Sequence, residues 1–134
     1  MTAPSPLPLA RERFFHGDAP GQPCPETLDL TGLGRILVYG PYEPVTPGLW
    51  TATLRLEVCA DGATRPFQFD VVTGADVTET RFRPGRPGAF QVQARHAVDA
   101  DGLMELRLWV MKPTFHGELR LLGATLERGD SEAR

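Results

Sequence analysis

The sequence predicts an all-β protein, and specifically an antiparallel β-sandwich of the jelly-roll type with about eight strands. Apolar and polar residues alternate with period two along most of the chain after residue 26, and turn signals recur about every ten residues. No window shows the spacing of an amphipathic helix. The 13 prolines and 14 glycines among 134 residues also favour many turns over long helices.

The individual strands are predicted from this alternation. The clearest is WTATLRLEV, residues 50–58, in which every second position from Trp50 to Val58 is apolar and is expected to face the core. Gly123 marks an expected bulge, where the alternation slips by one residue. Asp61-Gly62 and the DADG at 99–102 predict hairpin turns. Further strands are predicted at 35–40, 67–71, 90–98, 104–110 and 118–127.

The stretch VYGPYEPVTPGLW, residues 38–50, combines three prolines with three aromatic residues. We expect a strand that ends at Gly40, a loop over residues 41–48 and a Pro47-Gly48 turn before the next strand. Proline reduces the entropy that a loop loses on becoming ordered. The loop is therefore expected to be nearly preformed, which suits either ligand binding or closure of one end of a sandwich.

Composition and charge indicate one domain with polar ends. Residues 1–25 are rich in proline and are expected to form an arm or linker, residues 26–128 the sandwich, and residues 129–134 a polar tail. A net charge of −3 argues against nucleic acid as a partner. The sequence shows neither the roughly 20-residue apolar run of a membrane span nor a secretory signal. The expected location is the cytoplasm, without a membrane partner.

Cysteine and histidine give no metal-site pattern. Cys24 and Cys59 could pair, but free thiols in a reducing compartment are the favoured interpretation. His16, His96 and His116 are isolated, whereas a cupin-like site needs two histidines close together on one strand. His96 lies on an apolar strand face, so we expect a hydrogen-bonded histidine in the core or in a barrel lumen.

No catalytic signature is apparent, and the chain is expected not to be an enzyme. The only serines are Ser5 and Ser131, in the tails, and the carboxylates are scattered. A small jelly-roll enzyme that uses His96 in a barrel lumen is the third hypothesis. No cofactor is expected. DADGL begins like a calcium-binding loop, but Met104 and Val110 stand where that loop requires glycine and glutamate, so we interpret it as a turn. A structural calcium ion at another place in the fold remains an open alternative.

The stretch YGPYEPVTPGLWTATLRLEV, residues 39–58, resembles small β-sandwich modules attached to bacterial glycosyltransferases and related polysaccharide enzymes. In those modules a Gly-Pro-Tyr, a proline-bearing loop and a Pro-Gly-aromatic precede a long strand. The matching elements here are Gly40-Pro41-Tyr42 and Pro47-Gly48, and the later FQFDVV, AFQV, LMELRLWV and GELRLLGATLE are similar to the remaining strands. The resemblance implies a galactose-binding-like or carbohydrate-binding jelly roll that recognises a sugar.

The first candidate ligand-binding group surrounds Trp109. Alternation places Trp109 on the solvent face beside Arg107 and Glu105, with Arg120 and Glu118 expected on the neighbouring strand. An aromatic face suits the polarised C–H groups of a sugar ring, and charged side chains hydrogen-bond its hydroxyls. Alternatively, Trp109 packs under a loop or against another subunit, and the charged side chains form a solvated cross-strand ladder.

The second candidate group is Tyr39, Tyr42 and Glu43, at the expected proline-rich loop, where binding residues often gather. Alternatively, Tyr42 folds back over the core. The sequence thus predicts a non-catalytic carbohydrate-binding module that recognises a glycan or sugar through exposed aromatics and Arg/Glu hydrogen bonds. The alternative function is a protein-interaction or oligomerisation module, in which the same aromatics form a homodimer interface.

Overall fold

Residues 6–129 are described in the computed structural model, and they form eleven β-strands and one short 3-10 helix, Arg11–Arg13. None of these residues belongs to a helix long and apolar enough to cross a membrane. The strands are β1 (Leu7–Leu9), β2 (Phe15–His16), β3 (Ala19–Pro23), β4 (Leu28–Asp29), β5 (Arg35–Val45), β6 (Gly48–Val58), β7 (Phe67–Thr73), β8 (Asp76–Phe82), β9 (Gly88–Val98), β10 (Gly102–Val110) and β11 (Glu118–Gly129).

The strands build two antiparallel sheets. One is five-stranded, in the order β1-β11-β6-β9 with β4 also paired to β11, and the other is six-stranded, in the order β3-β2-β5-β10-β7-β8. From β5 to β11 only β7 and β8 are consecutive strands of the same sheet, and every other connection crosses between the sheets. The predicted all-β antiparallel sandwich is confirmed.

The core lies between the two sheets and follows the predicted alternation. On β10 the side chains of Met104, Leu106, Leu108 and Val110 are buried, and on β6 the same holds for alternate residues from Ala52 to Val58. Burial of these apolar side chains is the main source of stability for the sandwich. Trp50 is only partly buried, but it packs against the core as predicted.

The predicted bulge at Gly123 is confirmed. The pairing of β11 with β6 shifts between Leu121 and Gly123, and this shift leaves Leu122 exposed. Gly123 has a φ of +147°, and a Cβ there would lie 2.8 Å from the side chain of Arg55. The positive φ therefore favours glycine at the bulge, whereas the Arg55 guanidinium could shift to make room for a Cβ.

The N-terminal segment differs from the predicted arm or linker. From Leu7 onward it supplies strands to both sheets: β1 pairs with β11, while β2 and β3 extend the six-stranded sheet beyond β5. Phe14 and Cys24 are buried in the core, and burial raises the pKa of the Cys24 thiol to about 11. Prolines are tolerated because β1 and β3 are short edge strands. Residues 1–5 and 130–134, which include most of the predicted tail, lie outside the described residues.

The two predicted hairpins are wrong. Asp61-Gly62 lies between β6 and β7, and residues 99–101 lie between β9 and β10, whose first residue is Gly102, but the strands of each pair belong to different sheets. The turn signals are real, yet they mark crossings from one sheet to the other. A hairpin instead joins β7 to β8 through Gly74, which has a φ of +57°.

The predicted loop over residues 41–48 is mostly strand. β5 continues past Gly40 to Val45 and stays paired with β10. Tyr42 is the extra residue of a bulge, since Glu43 pairs with Met104 and Pro41 with Glu105. Tyr42 has a φ of +67°, which is rare for a residue other than glycine. Backbone conformations of this kind cluster at functional sites.

Candidate functional site

The outer face of the six-stranded sheet carries a row of aromatic and charged side chains. Phe15, Tyr39, Arg107, Asp70 and Glu79 are in register across β2, β5, β10, β7 and β8. Residues in register project to the same side of a sheet. We call this side, with its neighbouring rows, the outer sheet face.

Two further rows flank the first. On one side Trp109 of β10 is in register with Gln68 of β7, which pairs with Arg81 of β8. On the other side Glu105 of β10 pairs with Pro41, next to the bulged Tyr42. The outer sheet face therefore combines aromatic rings with alternating acidic and basic groups.

A hydrogen-bonded group links Tyr42, Glu105 and Arg107. The Tyr42 hydroxyl donates to Glu105 Oε2 at 3.1 Å, and Arg107 Nη2 donates to Glu105 Oε1 at 3.0 Å. Burial and the Glu105 charge raise the pKa of Tyr42, and the hydrogen bond to Glu105 raises the pKa of Arg107. The raised pKa values keep the Arg107 guanidinium charged and the Tyr42 hydroxyl protonated, and the Tyr42 ring is fixed beside Glu105.

A second network holds Trp109. Its indole Nε1–H donates to Asp70 Oδ2 at 2.9 Å, and Gln68 Nε2 donates to Asp70 Oδ1 at 2.9 Å. Arg81 Nε in turn donates to Gln68 Oε1 at 2.9 Å. Asp70 is only 4% exposed although it lies on the outer side of the sheet, because these side chains cover it. The Trp109 ring is thus half-buried and fixed in orientation.

An aromatic cluster completes the outer sheet face on the β2–β5 side. The Phe15 ring lies 5.4 Å from that of Tyr39 and 6.4 Å from that of Tyr42, centroid to centroid. The Tyr39 hydroxyl accepts a hydrogen bond from the Gly21 N–H at 3.1 Å. Gly40, at a φ of +109°, allows the Phe15 ring to approach, since a Cβ there would lie 3.0 Å from it. Phe15 was missed by the sequence analysis because it belongs to the segment interpreted as an arm.

The structure brings together most of the predicted site residues from two separate candidate groups. Trp109, Arg107, Glu105, Tyr39 and Tyr42 all lie on the outer sheet face, on the adjacent strands β5 and β10. The alternative in which Tyr42 caps the core is wrong, since Tyr42 is 41% exposed.

The remaining predicted site residues lie elsewhere or at the margin. Glu43 forms an ion pair with Arg13, which precedes β2. The expected contact of Trp109 with Arg120 and Glu118 is wrong, because β10 and β11 belong to different sheets. Arg120 instead forms an ion pair with Glu57 on the five-stranded sheet, at 3.1 Å.

His96 is a hydrogen-bonded core histidine, as predicted. It is 2% exposed, and its Nε2 and Nδ1 are each 2.7 Å from a threonine hydroxyl, of Thr73 and Thr78 respectively. Burial lowers the pKa of His96. His16 and His116 lie at the surface, near Asp18 and Asp61. Within residues 6–129 no three His, Cys, Asp or Glu side chains are grouped so that they could hold a metal ion.

Comparison with known proteins identifies the fold. The sequence matches no protein-family model and no curated protein. Among solved structures, the chain is similar to the C-terminal CBM6 of LamC, a marine laminarinase from Zobellia galactanivorans, with 12% identity, a TM-score of 0.60 and coverage of 92% of this chain and 100% of that one. It is also similar to the CBM35 from Cellvibrio japonicus Abf62, with 16% identity, a TM-score of 0.53 and coverage of 93% and 94%.

A third similar structure is the Glycosylation Associate Protein complex from Streptococcus agalactiae, with 13% identity and a TM-score of 0.62. The match covers 96% of this chain but 26% of that one. At such identities the comparisons establish the fold alone. The protein therefore has the jelly-roll fold of carbohydrate-binding modules, which confirms the predicted fold class and the predicted resemblance.

Proposed function

We propose that the protein is a non-catalytic carbohydrate-binding module that binds a glycan across the outer sheet face. The observation that carries this proposal is the position of Trp109 and Tyr42 on either side of the Glu105–Arg107 ion pair, all fixed by hydrogen bonds. Aromatic faces attract the polarised C–H groups of a sugar ring, and charged side chains form strong hydrogen bonds with its hydroxyls.

Preorganisation makes this face suited to binding. Arg107 is 34% exposed and, within residues 6–129, makes one side-chain hydrogen bond, so other guanidinium N–H groups are available to a ligand. Side chains that are already fixed lose little entropy when a ligand binds. The hydrogen bonds to Glu105 and Asp70 therefore favour affinity as well as stability.

The proposal assigns Glu105 and Asp70 a positioning role and no part in catalysis. Both oxygens of each carboxylate accept a hydrogen bond from a neighbouring side chain. A glycosidase, by contrast, needs one protonated and one ionised carboxyl group facing the scissile bond. We also propose a cytoplasmic location, where Cys24 and Cys59 would remain free thiols.

The test is a glycan-array screen of the wild-type domain and of Trp109→Ala. The matched control is Phe115→Ala, which removes an aromatic ring that is 96% exposed and lies in the segment between β10 and β11. We expect specific glycan binding that Phe115→Ala retains and Trp109→Ala loses. Binding that is unchanged in Trp109→Ala, or absent from the wild type, would contradict the proposal.

The second candidate function is a protein-interaction module. Leu33 and Phe115 are 74% and 96% exposed, and they adjoin Gly32 and Thr114, which pair as an isolated bridge. Exposed apolar side chains of this size often mark interaction sites. The similarity to one part of a chain in the Streptococcus agalactiae complex is compatible with this function. Light scattering of the wild type and a Leu33→Ser, Phe115→Ser variant tests it: a dimer that the variant abolishes supports it, and a wild-type monomer at high concentration contradicts self-association.

A further inference from the structure

The outer sheet face continues beyond Trp109 into a groove. The Met111 N–H donates to the Pro66 carbonyl at 2.9 Å, which adds one more row of residues after the Trp109–Gln68 pair. On the far side of the groove, Arg83 follows the last residue of β8. The groove has a volume of about 460 Å³, within the range of small-ligand sites. It is lined by Pro66, Phe67, Arg81, Phe82, Arg83, Met111 and Lys112.

The groove combines cations with an apolar floor. Arg81, Arg83 and Lys112 are exposed, and no carboxylate is among the lining residues. None of these three takes part in an ion pair within the described part of the chain. The floor includes Phe67 and Phe82, whose rings stack at 5.6 Å. Because the chain as a whole has a net charge of −3, a groove whose charged lining residues are all cations is a local feature.

We infer that the glycan is anionic, and that this groove binds its carboxylate or sulfate groups; the inference rests on the proposed function. Cations beside a partly apolar surface attract an anion more strongly than cations in bulk water do. Arginine offers planar pairs of N–H donors that match the geometry of carboxylate and sulfate oxygens. A neutral glycan would leave all three cations without a counter-charge.

The groove and the Trp109 site are physically continuous. Arg81 lines the groove and also donates to Gln68, which is bonded to Asp70, the residue that holds Trp109. Alternate residues of one strand lie about 7 Å apart, so Trp109 and Met111 are close enough for one glycan chain to contact both. A chain that stacks on Trp109 can therefore place its next acidic residue over the groove. An acidic peptide would match the charge but not the adjoining aromatic face.

The experiment uses a glycan array with neutral, carboxylate-bearing and sulfate-bearing glycans. We expect the bound glycans to be acidic. The best one is then titrated against wild type, against the double variant Arg83→Gln, Lys112→Gln, and against Arg95→Gln. Arg95 is exposed on β9 of the other sheet, so Arg95→Gln controls for the loss of a positive charge outside the groove. The double variant should bind about tenfold more weakly or worse, as expected for the loss of hydrogen bonds to a charged group, and Arg95→Gln should bind like wild type.

Chemical neutralisation of the ligand completes the test. Methyl esterification of a carboxylate ligand, or desulfation of a sulfated one, should cause a similar loss in wild type and little further loss in the double variant. If methyl esterification weakens binding, the bound anion is a carboxylate; if desulfation does, it is a sulfate. Binding of poly-L-glutamate as tight as that of the glycan, or equal affinities of the double variant and Arg95→Gln, would overturn the inference.

The same glycan array distinguishes a failure of the anionic-ligand inference from a failure of the proposed carbohydrate-binding function. If only neutral glycans bind, and Trp109→Ala abolishes their binding, the anionic ligand is wrong while the carbohydrate-binding function stands. If no glycan of any class binds, the proposed function fails and the inference fails with it.

Discussion

Asp70→Asn probes the network that fixes Trp109. Asparagine has the shape of aspartate but only one acceptor oxygen, and its amide is a donor. The carboxylate of Asp70 accepts from two donors, Trp109 Nε1 and Gln68 Nε2, each at 2.9 Å. If the Gln68 amide reverses, its Oε1 can accept from the amide that Asp70→Asn introduces, but Arg81 Nε then loses the acceptor that Oε1 provides. One N–H in this network must therefore lose its acceptor.

The size of the effect follows from that loss. A hydrogen bond to a charged group contributes about 1.5–3 kcal/mol when its loss leaves a buried partner unsatisfied. For a domain of this length, 1 kcal/mol corresponds to about 3–5 °C in Tm, so we expect Tm to fall by about 5–15 °C. Thermal unfolding followed by circular dichroism measures this. Asp101→Asn, at an exposed position just before β10, controls for the lost charge. If Asp70→Asn melts at the temperature of Asp101→Asn, the network does not stabilise the fold in the way described.

Two further predictions concern the core and the aromatic cluster. Burial lowers the pKa of His96, so the folded protein binds fewer protons than the unfolded chain; its free energy of unfolding should fall below pH of about 6.5, by up to about 1.4 kcal/mol per pH unit. His96→Gln should remove this decrease in the free energy of unfolding at low pH, as measured by urea unfolding at several pH values. A pH dependence that is unchanged in His96→Gln would contradict its assignment to His96. Gly40→Ala should destabilise the fold by about 1 kcal/mol more than Gly85→Ala, because both glycines have positive φ but only Gly40 faces an aromatic ring, that of Phe15. If chemical denaturation shows the same decrease in the free energy of unfolding for both variants, the Phe15 ring does not restrict residue 40 to glycine.

The strands and the core were predictable because they depend on local alternation. WTATLRLEV and MELRLWV identify their inward faces directly, and the slip at Gly123 identifies a bulge. The pairing of strands was not predictable in the same way. Asp61-Gly62 signals a turn whether the chain returns to the same sheet or crosses to the other, and the choice depends on the packing of the whole core.

This limit explains which site residues were found. Trp109, Arg107 and Glu105 alternate on one strand, so their common face follows from the sequence alone. Their proximity to Tyr42 depends on the pairing of β5 with β10, across a separation of 63 residues between Tyr42 and Glu105. Arg120 was misplaced for the same reason, since the next strand in the sequence is not the next strand in the sheet.

The Phe15 side of the site was missed for a different reason. Proline content suggested an arm, but short edge strands tolerate proline because one side of their backbone needs no partner in the sheet. The apolar FF pair at 14–15 was the available signal: Phe14 is buried in the core, and Phe15, on the opposite side of the chain, joins the aromatic cluster on the outer sheet face.

The most direct test of glycan binding by the outer sheet face compares Arg107→Ala with Arg120→Ala. The two arginines are matched, since each forms an ion pair with a glutamate, at 3.0 Å and 3.1 Å, but they lie on opposite sheets. Isothermal titration with the best-binding glycan should show that Arg107→Ala weakens binding about tenfold or more, while Arg120→Ala leaves it unchanged. Equal affinities for the two variants, or a loss confined to Arg120→Ala, would contradict the assignment of the glycan site to the six-stranded sheet.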